Sequence, residues 1–391
     1  MPSEIRVDKI SSTASPYTPV FSTTGGALSH RNVIINGAMQ VWQRRPSYSG
    51  TVDVSNGTNE DYKSVDRFKP TFGNSCGGGV SWSRSTEVPD IAGGDYFYDS
   101  LKVQTYSTTT PNTSKHATID YRVEGHDMQR FGWGKTNKKD AVLSFYFKTN
   151  KTGIYSWYFR TPTGPRHRTI SFTVSDTNWN RYSIALTADT VAIPDANTEG
   201  LQIRLNLINS PDNDYTSGTD SGWGTTEYLN DDGQVNFLDS ASNILYLTGV
   251  QLELGSVATP FEHRTYQDEL RKCLRYFQLL ASVIGTGYQN GTNAVILSGS
   301  AGGLKDGAGT LGAVGFRVDP TVTGTFGNAS IGSSAGTSAF SANAISVVNW
   351  DQTNSTVTLQ TSSSINSNGA ANNIPASVYF NSKSINFDAE L

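Results

Sequence analysis

Carboxylate pairs are the first residues in this 391-residue chain that could do chemistry. Asp212 and Asp214 form one pair, and Asp231 and Asp232 another. Glycoside hydrolysis needs two carboxyl groups roughly 5–10 Å apart across the scissile bond. A calcium ion takes carboxylate and carbonyl oxygens. Both pairs sit in stretches rich in Asn, Gly and Ser, where Asp is a common turn former. Solvated turns are therefore the favoured reading, with a weak calcium site and catalysis as alternatives. Glu262-His263-Arg264 is a third charged cluster. No second histidine or nucleophile is patterned with it, so it reads as charged residues beside a helix start, in contacts between subunits.

Other catalytic signatures fail on spacing. His30, His116, His126, His167 and His263 lie far apart, without the separations of a metal site. Cys76 and Cys273 make neither a CxxC nor a zinc quartet and read as buried thiols. Gly134-Lys135-Thr136 resembles the end of a phosphate loop, but Gln129 stands where the loop needs its first glycine. Cys76-Gly77-Gly78-Gly79 is a flexible turn and lacks the Gly-x-Ser-x-Gly of a nucleophile elbow. The expectation is a chain that is not an enzyme, with no catalytic residues, no cofactor and no metal apart from the weak calcium candidates.

Aromatic residues are the stronger lead. Tyr155, Trp157, Tyr158, Trp179, Trp223 and Tyr228 could offer flat faces to sugar rings, with Arg160 and Arg166 supplying polar contacts. One aromatic contact adds on the order of 1 kcal/mol beyond area burial, so a single site would be weak. Several copies on one particle could raise avidity by roughly 10²–10⁴. The bland alternative for each ring is the protein core. Trp157 and Tyr158, being consecutive on a strand, must point to opposite faces.

The elements that would carry these residues are strands. The chain is 11% aromatic and only 16% charged, with 38 glycines. Such a composition, with abundant Ser, Thr and Asn, suits many short strands. Alternation or strand-like runs appear over 141–147, 154–160, 168–174, 179–186 and 201–207, with a long last strand over 244–254. Strands at roughly ten-residue spacing without intervening helices indicate an all-β jelly-roll β-sandwich over 31–264. One amphipathic helix is expected over 265–284, its apolar stripe including Leu270, Leu274 and Phe277. That stripe could pack on the sandwich or on the same helix in sister chains.

Residues 285–391 lose most charge but keep short alternating runs at 293–297, 312–318, 344–350 and 356–361. They read as a small β-rich C-terminal domain that association with sister copies would help to bury. Residues 1–30 cannot fold alone and read as a segment that orders against a partner or frays. A formal net charge of −4 and the lack of a long basic run disfavour nucleic-acid binding. No apolar stretch reaches the roughly 18 residues of a membrane span, and charges near Met1 leave no signal-peptide core. Synthesis in a cytoplasm follows as an expectation.

Three segments resemble tail-fibre-like and minor tail structural proteins of tailed, marine-type bacteriophages with a carbohydrate-binding-module-like jelly roll. They are Ile5-Arg6-Val7-Asp8-Lys9-Ile10 with Pro19-Val20-Phe21; Asn32 to Arg44 with Val65-Asp66-Arg67-Phe68; and Gly249 to Arg264 followed by Cys273-Leu274-Arg275-Tyr276-Phe277. Leu274 stands where such proteins usually carry Gln, and Phe277 where Tyr is common. The resemblance covers the first 280 residues and leaves the last hundred unmatched. It implies a homotrimeric virion protein made in the host cytoplasm, for which Leu270, Leu274 and Phe277 of the apolar stripe are the oligomer-helix candidates. It further implies assembly with other virion proteins, with Ile5, Val7, Ile10 and Phe21 as anchoring candidates and attachment through the C-terminal domain as the alternative. Host cell-surface polysaccharide would be its receptor. A head, neck or tail decoration protein that binds no sugar is the competing reading. A depolymerase would need a long parallel β-helix or an esterase motif, and neither pattern is visible.

Overall fold

Alternation decides which side chains meet. Along 141–147 the odd residues Ala141, Leu143, Phe145 and Phe147 are all fully buried in one apolar core. Along 201–207 the same holds for Leu201, Ile203, Leu205 and Leu207. Strands with one such face stack face to face to exclude water from it. The computed structural model describes residues 30–44, 47–48, 62, 65–73, 76–90, 95–110, 116–208, 220, 222–231 and 233–281, and the strands and short stretches between 284 and 390. The anchoring candidates Ile5, Val7, Ile10 and Phe21 lie outside the described residues, as do Asp212, Asp214, Asp232 and the stretch 312–318.

The chain divides into two units, Met1–Thr265 and Tyr266–Leu391. In the first unit the strands are β1 (Ser47–Tyr48), β2 (Phe68–Gly73), β3 (Gly79–Ser85), β4 (Ser100–Ser107), β5 (His116–Glu124), β6 (Ala141–Thr149), β7 (Gly153–Thr161), β8 (Arg166–Val174), β9 (Asn180–Leu186), β10 (Glu199–Asn206) and β11 (Ile244–Leu254). They form a six-stranded sheet, β1-β3-β4-β11-β6-β9, and a five-stranded sheet, β2-β5-β10-β7-β8. From β4 onward the chain changes sheet at nearly every step, the winding of a jelly roll. Phe145 packs edge-on against Trp157 at 5.1 Å and Phe172 at 5.0 Å, joining the two sheets. A short helix, α1 (Gly125–Met128), caps the end of β5. The all-β jelly-roll sandwich is thus the fold.

The two segments Asn32–Arg44 and Gly249–Arg264 are locked to one another. Asn32 Nδ2 donates to the Val250 carbonyl at 3.1 Å, and its Oδ1 accepts from the Leu252 N–H at 3.0 Å. Val250 N donates to the Gly37 carbonyl at 2.9 Å, and a Cβ at Gly37 would collide with the Val250 oxygen. Glu262 accepts from the Asn32 N–H at 2.8 Å and pairs with Arg264 at 3.2 Å. Burial opposes ionisation of Glu262, yet the Asn32 N–H and the Arg264 charge hold its carboxyl below the usual range. Arg264 in turn donates to the carbonyls of Ile34 and Asn32. Glu262 and Arg264 therefore fasten the start of the sandwich to its last strand, within one chain.

In the second unit α2 runs only over Tyr266–Leu274. The expected helix over 265–284 is corrected here: Tyr276 N–H bonds back to the Cys273 carbonyl, and Phe277–Ala281 is a strand paired with Ser384–Asp388. Phe277, Leu279 and Ala281 also satisfy a period of two, and pairing with a distant strand selects that reading. Phe277 is accordingly a strand residue, whereas Leu270 and Leu274 are helical and Leu274 is buried. The strands Ser384–Asp388 and Thr321–Gly324 complete a three-stranded sheet with Phe277–Ala281, and most other strands of this unit join a nine-stranded antiparallel sheet. Cys76 and Cys273 are both buried. Among the described residues no helix is long and apolar enough to cross a membrane.

Candidate functional site

A sheet whose inner face fills a core normally turns a wet, exposed face outward. The outer face of the five-stranded sheet departs from this: it is polar yet largely buried. Strand register arranges it as rows crossing the strands. One row runs Arg122 (β5), Gln202 (β10), Arg160 (β7) and His167 (β8). The next runs Lys69 (β2), Asp120, Arg204, Tyr158 and Thr169. A third holds Thr71 and Thr118 on one side and Ser156 and Ser171 on the other, with Asn206 opposite Thr118. Asn206 Nδ2 donates to Ser156 Oγ at 3.0 Å, closing that row.

Asp120 is the centre of this face and has no exposed surface. Its Oδ2 accepts from Gln202 Nε2 at 3.0 Å and from Thr71 Oγ1 at 3.3 Å. Arg204 and Arg122 stand at 3.6 and 3.7 Å from the same oxygen. Arg122 also pairs with Glu199 at 3.2 Å, and Glu199 with Arg160 at 3.2 Å. Three buried atoms here, Asp120 Oδ1, Gln202 Oε1 and Arg204 Nε, make no hydrogen bond among the described residues. A buried polar atom left unbonded costs about 1–3 kcal/mol, so such a cluster marks a place where further hydrogen bonding is favourable. The face reaches the surface along the Arg122, Glu199 and Arg160 side chains, which are 19%, 15% and 35% exposed.

Flanking segments narrow this surface. The Tyr62 ring lies 5.3 Å from the Lys69 ammonium and 4.9 Å from the Arg44 guanidinium. On the other side, the segment around 222–235 folds across β7 and β8. His167 and Gly224 exchange backbone hydrogen bonds at 2.8 and 3.0 Å, and the Tyr228 carbonyl accepts from Thr169 Oγ1. Between them lies a small cleft of about 120 Å³ lined by His167, Arg168, Thr169, Asp220, Thr226 and Tyr228. Arg168 binds both oxygens of Asp220 at 3.0 and 2.8 Å. Burial opposes ionisation of Asp220, but these bonds and the Gly222 N–H hold its carboxyl below the usual range.

Tyr158 ties the cleft to the sheet. Its hydroxyl donates to Glu227 at 2.6 Å and lies 2.6 Å from His167 Nδ1. Since that hydroxyl proton is committed to Glu227, Nδ1 must carry the His167 proton, leaving Nε2 as an acceptor. Burial pushes the Tyr158 phenol far up and the His167 imidazole down, so both are neutral near pH 7.

The aromatic candidates divide between three environments. Tyr155 and Trp157 are corrected to core residues: both point into the sandwich, where Tyr155 meets Phe147 at 5.3 Å and Trp157 meets Phe145. Tyr158 and Arg160 belong to the polar outer face, and Tyr228 lines the cleft. Trp223 is half-buried against Trp133 at 5.3 Å, its indole N–H donating to the Thr187 carbonyl. Trp179 lies on the outer side of the other sheet, 6.1 Å from Tyr246, and does not join the site. Arg166 binds both oxygens of Asp189 at 2.7 and 2.8 Å. Asp231 is buried, its carbonyl accepting from the Gln234 N–H. Among the described residues no group of three or more His, Cys, Asp or Glu could hold a metal ion.

Sequence reasoning missed Asp120, Arg122, Gln202, Arg204, Lys69 and His167. A signal was present: His116, Thr118, Asp120, Arg122 and Glu124 alternate with Ala117, Ile119, Tyr121 and Val123. What alternation alone does not reveal is that the polar side is also buried.

No family model matches the chain, and no curated protein matches it. Among solved structures, 57% of the chain aligns with 21% of the bacteriophage CBA120 tailspike protein 4 enzymatically active domain, at 11% identity and a TM-score of 0.29. The chain therefore spans about a fifth of that domain's length. A CBM4 structure aligns over 56% of this chain and 98% of its own, at 11% identity and a TM-score of 0.28. The family 11 carbohydrate-binding module of the Clostridium thermocellum cellulase Lic26A-Cel5E aligns over 51% and 95%, at 13% identity and a TM-score of 0.27. The sandwich assignment rests on the two sheets themselves, and no activity follows from these likenesses.

Proposed function

We propose that this chain is a non-catalytic glycan-binding component of a phage virion, of the tail-fibre type, and that the outer face of its five-stranded sheet receives host-surface sugar. The observation that carries the binding reading is the row system around Asp120, a polar face that reaches the surface through the Arg122, Glu199 and Arg160 side chains. Sugars carry hydroxyls that both donate and accept, which suits a surface where the Glu199 carboxylate stands between the Arg122 and Arg160 donors. The virion assignment is supported by the resemblance of the Asn32–Arg44 and Gly249–Arg264 segments to tail-fibre-type proteins. Attachment to other virion proteins and a homotrimeric state belong to the same proposal.

The test is retention of the full-length chain on immobilised lipopolysaccharide and capsular polysaccharide from candidate hosts. Arg160→Ala removes a surface-reaching group of the first row and leaves the core untouched. It is expected to weaken retention about tenfold or more with little change in melting temperature. A chain that retains none of these polysaccharides, or an Arg160→Ala variant that retains them as wild type does, contradicts the proposal. Labelling Leu391 on intact particles tests the virion part: signal at the ends of tail appendages supports it, and regular signal over the head shell overturns it.

A further inference from the structure

A second aromatic surface lies on the other sheet. Tyr96 and Tyr98 are 84% and 78% exposed, while Phe97 between them is 6% exposed. Exposed tyrosines on a loose loop would mean little, but these are held on both sides. Asp95 Oδ2 accepts from the Tyr146 hydroxyl and from the Phe261 N–H, each at 3.0 Å. Asp99 takes two bonds from Arg84, at 2.6 and 2.7 Å, and its carbonyl accepts from Thr248 Oγ1 at 2.8 Å.

Phe97 itself is plugged into the outer face of the six-stranded sheet. Its ring centre lies 5.1 Å from Tyr146, 5.2 Å from Phe261 and 5.2 Å from His263. The slot exists because β11 bulges between Thr248 and Gln251, with Gly249 at φ +62°. A Cβ at Gly249 would sit 2.7 Å from ring atoms of both Phe97 and Tyr146. Bulge, plug and paired aspartates thus hold 95–99 in one conformation and turn the two neighbouring phenols outward.

We infer that Tyr96 and Tyr98 form a second sugar-stacking point, independent of the polar face of the five-stranded sheet. A fixed aromatic loses little freedom on binding, and Tyr combines a flat apolar face with a polar tip. At about 150–250 Å² per aromatic side chain, the pair at 84% and 78% exposure offers roughly 250–400 Å². A stable protein interface needs about 800 Å² per partner, so the area falls short of a docking surface for a second copy. It suits one or two pyranose rings. With contact points on opposite sheets, one chain could engage two strands of a surface polysaccharide, and multiple copies would multiply the effect.

The experiment is tyrosine nitration of the full-length chain, read by peptide mass spectrometry, with and without host capsular polysaccharide or lipopolysaccharide. Tyr106 and Tyr266 are 65% and 57% exposed and serve as internal controls. The expected result is at least a threefold slowing of nitration at Tyr96 and Tyr98 with no change at the controls. The Tyr96→Ala/Tyr98→Ala pair should lower polysaccharide retention about tenfold, and the Tyr96→Phe/Tyr98→Phe pair should keep most of it. Unchanged nitration at both tyrosines overturns the inference, even if Arg160→Ala shows that the polar face binds. Protection that grows with protein concentration in the absence of polysaccharide also overturns it, by identifying a contact between copies.

Discussion

At the scale of the residue, Asn36 shows how one side chain can fix a fold. It is fully buried at φ +61°, a conformation that Asn tolerates better than most residues. Its Nδ2 donates to the carbonyls of Val41 and Asp66 at 2.9 and 3.0 Å, and its Oδ1 accepts from the N–H groups of Gln40 and Val41, both at 2.9 Å. Asn36→Ala leaves those four backbone groups short of a partner, at about 1–3 kcal/mol for each that stays unsatisfied. A loss of at least about 3 kcal/mol, seen as a fall of roughly 6–12 °C in Tm, is expected from thermal unfolding. His167 gives a residue-scale prediction in pH. Burial lowers its folded-state pKa below the ordinary 6.5, so the fold favours the neutral ring. The unfolded chain then binds the proton first, and the stability that His167 contributes is whole above about pH 6.5 and lost as pH falls below it. The drop in Tm between pH 7.5 and 5 should shrink in His167→Gln, and an unchanged drop would contradict this account of the imidazole.

At the scale of the element, the bulge in β11 carries the clearest consequence. Gly249→Ala puts a side chain at positive φ, costing about 1–2 kcal/mol, and drives it into Phe97 and Tyr146. Differential scanning calorimetry should show a loss of about 2 kcal/mol or more, and Tyr96 and Tyr98 should lose their polysaccharide-dependent protection. Other elements show what a sequence discloses. β6, β7, β8, β9, β10 and β11 were legible because their apolar residues alternate or run together without interruption, and β11 matches its expected bounds of 244 and 254. β2 was not, because Pro70 breaks its pattern; the structure places it at a sheet edge, where a proline is tolerated. β3 was hidden by the serines between Val80 and Trp82 and beyond, which weaken the contrast between its faces. The end of α2 was illegible for another reason. Phe277 fits both periods, and only the partner strand Ser384–Asp388, more than a hundred residues away, selects one.

At the scale of the whole molecule, the jelly roll of the first unit presents two outer faces of different chemistry. On the five-stranded sheet, charged and amide groups stand in rows around Asp120; on the six-stranded sheet, a bulge and an aromatic plug hold Tyr96 and Tyr98 outward. The expected aromatic glycan contacts were only partly legible. Burial belongs to the assembled sheets, and neither the inward turn of Tyr155 and Trp157 nor the gathering of Asp120, Gln202 and Arg204 is written in any one segment. Two of the segments that resemble tail-fibre-type proteins, Asn32–Arg44 and Gly249–Arg264, form a clasp that closes the sandwich, through Asn32, Glu262 and Arg264. The most direct test of the central claim is a crystal structure of the full chain with an oligosaccharide cut from the polysaccharide it retains. Sugar is expected to lie against Arg122, Glu199 and Arg160, the side chains through which the row around Asp120 reaches the surface. Sugar bound elsewhere, with that row unchanged and untouched, would contradict that claim.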